Sequence, residues 1–210
     1  MRIKQICWLV VIVLAVAVTA QADTAKMTFT GITTSTTLTI HDSAIGTVTA
    51  VIDPYLGTMN GSKVTLFCVD PDHEVNYGDS WTANISYAGG SVANTYLKNA
   101  TTYGELAWLV TQLAGSSSAA QEQVIQGAIW QLADPSLTFP GASSTFLALV
   151  AQWESNAANN ALTSGYEILT DVNGKEQEFV VLTPEPATLL LFGSGLLGLG
   201  AWGRRKLIKN

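Results

Sequence analysis

AAQEQVIQGAIWQLA, residues 119–133, is an amphipathic helix in a chain whose flanks are strands. Val124, Ile125, Ala128, Ile129 and Leu132 recur three and four apart, the spacing that stacks side chains on one helix face. Asp134-Pro135 closes the helix, because proline disfavours a helical predecessor. Upstream, Gly115-Ser116-Ser117-Ser118 is a connection, and Tyr103–Leu113 places Leu106, Leu109, Val110 and Leu113 on one face of a second helix. Downstream, Ser143–Asn159 carries Phe146, Leu149, Val150 and Trp153 at helical spacing. Further out the composition changes. From Lys26 to about Tyr87 the chain is rich in Thr, Val and Ile and broken by Gly, Pro, Asn and Asp, which predicts strands at Thr36–Ile40, Gly46–Ile52, Lys63–Val69 and Trp81–Ile85. After the helices, Tyr166–Thr170 and Gln177–Leu182 flank Asn173-Gly174, a closing β-hairpin in which Asn-Gly supplies positive φ angles. The order β, α, β defines an α+β domain with a helical insert near Thr102–Asn159.

The chain has 210 residues, 48% hydrophobic and only 12% charged, enough for one domain and too apolar for a disordered segment. Its charges are unevenly placed. Arg2, Lys4, Arg204, Arg205, Lys206 and Lys209 lie at the ends, whereas all sixteen Asp and Glu fall between Asp23 and Glu185, where four lysines leave a net charge of −12. A body so acidic, without a cluster of Lys or Arg, offers no footprint for a phosphate backbone, and nucleic-acid binding is excluded.

The two ends read as addresses. Residues 1–22 combine a basic start, an apolar run from Ile6 to Val18 and the small-residue site Ala20-Gln21-Ala22, the pattern of a signal peptide cleaved by signal peptidase after Ala22. The apolar run is shorter than the ~20 residues that span a bilayer. Residues 184–210 place Pro184-Glu185-Pro186 before an apolar stretch, Thr188–Gly203, and the basic tip Arg204-Arg205-Lys206. Basic residues behind an apolar span are held on the cytoplasmic side, which leaves the body, residues 23–183, facing outward. This tail resembles the PEP-CTERM sorting signal of Gram-negative bacteria. The resemblance implies a C-terminal membrane helix, processing by an exosortase, and a place at the cell surface or in an exopolysaccharide matrix. Gly193-Ser-Gly195-Leu-Leu-Gly198 in the same stretch spells a dinucleotide loop but lacks the strand–turn–helix setting that gives the spelling meaning.

Removal of the leader takes Cys7 with it and leaves one cysteine, Cys68, in an exported protein. Outside the cell a lone thiol is readily oxidised. Such a residue is either buried and inert, bonded to another chain, or engaged in other covalent chemistry.

Cys68 ends a predicted strand in Phe67-Cys68-Val69-Asp70, and Ile125-Gln126-Gly127-Ala128-Ile129-Trp130 follows 58 positions later on a helix. The pair resembles the two motifs of thioester domains, the surface-adhesion modules best known from Gram-positive bacteria. The resemblance spans roughly Leu66–Leu132, including the helix that carries Trp108. It implies a β-sandwich-like domain with a helical subdomain, and a bond between Cys68 sulfur and the Gln126 side-chain carbon formed with loss of ammonia. A thioester is an activated acyl donor where an amide is a poor one, so an amine on a partner surface can take the Gln126 acyl group and free Cys68. Phe67, Asp70, Trp108, Ala128, Ile129 and Trp130 are the expected surroundings, the aromatic ones excluding water.

The resemblance thus points to covalent attachment rather than turnover, with no enzyme activity, cofactor or metal expected. The alternative is a passive matrix or exopolysaccharide-associated surface protein with an unmodified buried cysteine. A cysteine hydrolase with His73 or His41 as base is the enzymatic rival, disfavoured because His73 lies in Asp70-Pro-Asp72-His73-Glu74, an acidic turn that reads as a solvated loop. The same run lacks the glycine and twelve-residue spacing of a calcium loop.

Overall fold

A computed structural model describes residues 24–33, 36–52 and 54–183. The leader expected at residues 1–22 and the membrane helix and basic tip expected within 184–210 lie outside them. Among the described residues no helix is long and apolar enough to cross a membrane. The elements run β1 (Thr24–Ile32), β2 (Thr37–Asp42), β3 (Gly46–Val51), β4 (Tyr55–Met59), β5 (Ser62–Cys68), β6 (Ser80–Tyr87), α1 (Ala100–Ala114), α2 (Ala119–Ala133), α3 (Ser144–Asn160), β7 (Tyr166–Asp171) and β8 (Phe179–Leu182).

The domain is β-rich with three helices inserted between β6 and β7, as the β, α, β order predicts. The sandwich expectation is corrected. Six strands form a closed antiparallel barrel in the order β1-β4-β5-β8-β7-β6, and β2 and β3 make a separate hairpin. The difference comes from β1 and β4, which the composition-based reading passed over. β1 pairs with β4 on one side and with β6 on the other, from Thr24 opposite Asn84 to Thr28 opposite Ser80, and so closes the cylinder. Without it the sheet has two free edges.

A six-stranded barrel is filled by its own side chains. Along β1, Ala25, Met27 and Phe29 are buried while Thr24, Lys26 and Thr30 are exposed, the period of two that points alternate residues inward. Phe29 and Tyr55 approach at 5.3 Å, Tyr55 and Phe179 at 5.8 Å, and Trp81 and Phe179 at 6.1 Å between ring centroids. Since β8 borders neither β4 nor β6, the last two contacts cross the interior. Gly57 in β4 is required by this packing: a Cβ there would sit 2.7 Å from Leu66 Cδ1 and 2.9 Å from the Thr28 carbonyl oxygen.

The helices start where local chemistry lets them. Asn99 caps α1 by accepting from the backbone N–H of Thr101 and Thr102, and Ser143 caps α3 by accepting from Phe146 N at 3.1 Å. The α3–β7 connection closes onto α1 at Gly104, whose carbonyl accepts from Leu162 N at 2.9 Å. In α2, Val124 through Trp130 are buried without interruption, so the middle of this helix is enclosed on every side. Gly127 lets α3 come close, since a Cβ there would meet Phe146, Val150 and Phe139 at 3.2 to 3.3 Å. The β2–β3 hairpin is pinned to the chain after α2 by reciprocal backbone bonds of 2.9 Å between His41 and Thr138.

Candidate functional site

The earlier part of β5 is exposed or half-buried, but Leu66, Phe67 and Cys68 are buried in succession, which marks a strand end covered on both faces. Cys68 pairs with Phe179 and shares its side of the sheet, and Phe67 pairs with Val180 on the other. Gln126, from the enclosed middle of α2, donates its side-chain Nε2–H to the Cys68 backbone carbonyl at 3.0 Å. Cys68 is 5% exposed and Gln126 1%. Two residues 58 apart in sequence are therefore neighbours in a water-poor place.

The Cys68 thiol donates to the Asp70 carbonyl oxygen at 3.2 Å. Burial, reinforced by the Asp70 carboxylate, pushes the thiol up to about 12, so the sulfur is held in its protonated form. The Trp130 indole N–H, one turn beyond Gln126, acts in the opposite sense on the sulfur without completing a hydrogen bond. It is buried with no partner, and a buried donor left unsatisfied calls for an explanation.

Asp70 organises the loop after β5. Its Oδ1 accepts from Asp72 N at 3.0 Å, and its Oδ2 accepts from Glu178 N at 3.2 Å and bonds His73 Nδ1 at 2.7 Å. The acidic run read as a solvated loop is thus anchored by a buried carboxylate, with His73 lying over Tyr96 at 5.0 Å between ring centroids.

Behind Asp70 sits a buried acid that the sequence reading did not single out. Glu178 accepts from the Thr170 and Tyr103 hydroxyls and from Tyr96 N. Burial pushes its carboxyl above the usual range against the pull of these donors. Burial likewise pushes the Tyr103 phenol up, with the neighbouring Glu178 charge adding to it. The signal available in sequence was an acid inside a strand-like apolar run, Gln177–Leu182. A small cleft of about 90 Å³ opens beside these groups, lined in part by Val69, Asp70, His73, Tyr96, Asp134 and Glu178.

The remaining expected surroundings are distributed differently. Ala128 and Ile129 are fully buried in α2. Trp108 pairs with Trp153 of α3, ring centroids 5.8 Å apart. Asp42, Asp72 and Asp134, one buried, one exposed and one half-buried, bring carboxylate oxygens within 4.8 Å of one another and so have the donors to hold a cation, but convergence of acids alone does not assign one.

Residues 182–206 match the PEP-CTERM protein-sorting motif, a segment that includes Pro184, Glu185, Pro186, Arg204, Arg205 and Lys206. The motif marks an exported, surface-directed protein processed by an exosortase. No curated protein matches the chain. Among solved structures it is similar to the N-terminal thioester domain of a surface protein from Clostridium perfringens, at 11% identity and a TM-score of 0.41, over 76% of this chain and 98% of that one.

Proposed function

We propose that the body, residues 23–183, carries an internal thioester between Cys68 and Gln126 and attaches covalently to amine-bearing partners at the cell surface. The observation that carries this reading is the buried Gln126 carboxamide held at 3.0 Å from the Cys68 backbone by a helix and a strand end that meet only in the folded chain. Bond formation balances simply: Cys68 Sγ joins Gln126 Cδ, the carbon–nitrogen bond breaks, and the nitrogen leaves as ammonia with the thiol proton. The enclosure excludes the water that would hydrolyse the product. The orphan Trp130 N–H supports the reading as a donor positioned beside the reacting sulfur. An amine opens the bond once, leaving a substituted amide at Gln126 and a free Cys68 thiol, so the chain acts stoichiometrically and not as a turnover enzyme.

Intact mass of the exported chain tests this. With the bond present, the protein weighs one ammonia less than its processed sequence, and the deficit disappears in Cys68→Ala and in Gln126→Ala. Methylamine then adds to Gln126 and releases a thiol at Cys68. Full sequence mass together with indifference to methylamine rejects the proposal in favour of a passive surface or matrix protein with an inert buried cysteine.

A further inference from the structure

Two indole N–H groups are buried without an acceptor among the described residues, those of Trp81 and Trp130, and their settings differ. Trp81 lies in the barrel against Phe179, whereas Trp130 follows Gln126 by four positions on α2, the spacing that puts two side chains on one helix face. From that face Gln126 reaches the Cys68 carbonyl, and the Trp130 indole acts on the Cys68 sulfur. Trp130 is 1% exposed, so bulk water cannot serve as its acceptor. An indole N–H can only donate, and the sulfur beside it is a weak acceptor as a thiol and a strong one as a thiolate. A donor that is orphaned at rest is thus matched to a charge that arises only during reaction.

We infer that the Trp130 indole N–H is the donor that stabilises the Cys68 sulfur as it becomes negative, in making and in opening the Cys68–Gln126 thioester, an inference that rests on the bond proposed above. In the making, Cys68 Sγ gives up its proton and attacks Gln126 Cδ, and ammonia leaves with that proton. In the opening, a primary amine attacks Gln126 Cδ and the carbon–nitrogen bond forms. The carbon–sulfur bond breaks with its electron pair going to sulfur, and the proton shed by the amine converts the thiolate into a thiol. Both directions pass through a negative sulfur, and there the N–H bonds to it.

The sulfur needs such a donor. Burial, then the Asp70 and Glu178 charges, disfavour a thiolate, and the Asp70 carbonyl, as an acceptor, suits the thiol instead. Gln126 cannot help, because its nitrogen is committed to the Cys68 carbonyl and departs as ammonia. One helix therefore supplies both parts at a fixed spacing, the acyl group from Gln126 and the donor from Trp130.

The test uses the exported chain, wild type and with Trp130 replaced by its benzothienyl isostere, which keeps both rings and lacks the N–H. Methylamine is the probe, and intact mass reports whether the bond is present and how fast the amine adds. The isostere is expected to gain methylamine about 10- to 100-fold more slowly than wild type, the effect of one hydrogen bond to a charged group. Its rate is also expected to rise more steeply across primary amines of increasing basicity, because expulsion of sulfur becomes the slow step. A role in packing alone does not alter that slope. A folded isostere at full sequence mass beside a wild type with the ammonia deficit supports the inference too, since bond making passes through the same charge. Equal rate and slope in an isostere that keeps the deficit overturn the Trp130 role and leave the thioester standing. A wild-type measurement covers an isostere that does not fold: the Trp130 indole N–H proton resonance is expected to shift when methylamine opens the bond, and a resonance that stays in place overturns the role. Full sequence mass in the wild type overturns the thioester and this inference together.

Discussion

The side chain of Gln126 donates to the backbone carbonyl of Cys68 at 3.0 Å, and this bond ties the middle of α2 to the last residue of β5. Until that nitrogen leaves, a glutamine that reaches a main-chain acceptor in this way is a structural tie, and the tie makes a definite demand on its chemistry.

In a Cys68→Ala background, where no cross-link can form and Gln126 keeps its nitrogen, Gln126→Glu keeps the shape of the side chain but removes the donor. At low pH the carboxylic acid still donates to the carbonyl of residue 68. As pH rises the buried group resists ionisation, its folded pKa lies above the unfolded value, and stability falls from the ordinary glutamate range of ~4.3 upward. The expected cost near neutrality is about 2 kcal/mol or more, measured by urea unfolding at a series of pH values. A double variant as stable as Cys68→Ala alone at neutral pH contradicts this.

In Gln126→Ala no cross-link can form, so Cys68 is a thiol. Because burial holds it up to about 12, alkylating reagents at mildly alkaline pH are expected to leave it untouched in the folded chain and to label it fully in denaturant. Rapid labelling without denaturant would place the sulfur in solvent.

Glu178 contributes in the same sense as an introduced buried acid. Its folded pKa is raised, so the native chain binds the proton more tightly than the unfolded one, and stability declines as pH rises from ~4.3 through the folded pKa. Glu178→Gln removes that decline. The measurement is the difference in melting temperature between wild type and variant across this window, which is expected to shift in favour of the variant as pH rises.

Gly104→Ala sets two effects against each other. Alanine is favoured over glycine inside a helix by roughly 1 kcal/mol. The added Cβ, however, would stand 2.6 Å from the Leu162 carbonyl oxygen, a backbone atom that moves only with the α3–β7 connection. Overpacking of this kind costs ~1–3 kcal/mol, so a net loss is expected in thermal unfolding.

The parts of this chain written in local sequence were readable. α2 begins and ends where its apolar spacing and Asp134-Pro135 place it, α1 extends the predicted segment at both ends, and α3 lies one residue further along than predicted. Cys68 stands out because it is the lone cysteine of the body, Gln126 stands out only through the thioester-domain resemblance, and the fold brings the two side by side. β1 alternates buried and exposed residues along its first half, but it starts at Thr24, close behind the expected leader, and so reads as part of the transition. β4 is five residues long with Gly57 at its centre, so it resembles a turn; only Leu66 and the Thr28 carbonyl, brought in from β5 and β1, explain the glycine. The same limit hid the role of Asp70. Its partners Glu178 and Gln177 lie more than a hundred residues away, and a chain of acids looks solvated until the fold supplies those donors.

β8 lies between β5 and β7 and leads straight into the sorting motif at residues 182–206. Mechanically, this gives the strand next to the sorting motif a bonded neighbour on each side. Tension arriving through the tail cannot peel away a loose edge; it must shear two ladders at once, one of them to the strand that ends in Cys68. A pull on this end is therefore shared between the ladder to β7 and the two-pair ladder to β5, so Phe67 and Cys68 stand directly in its path.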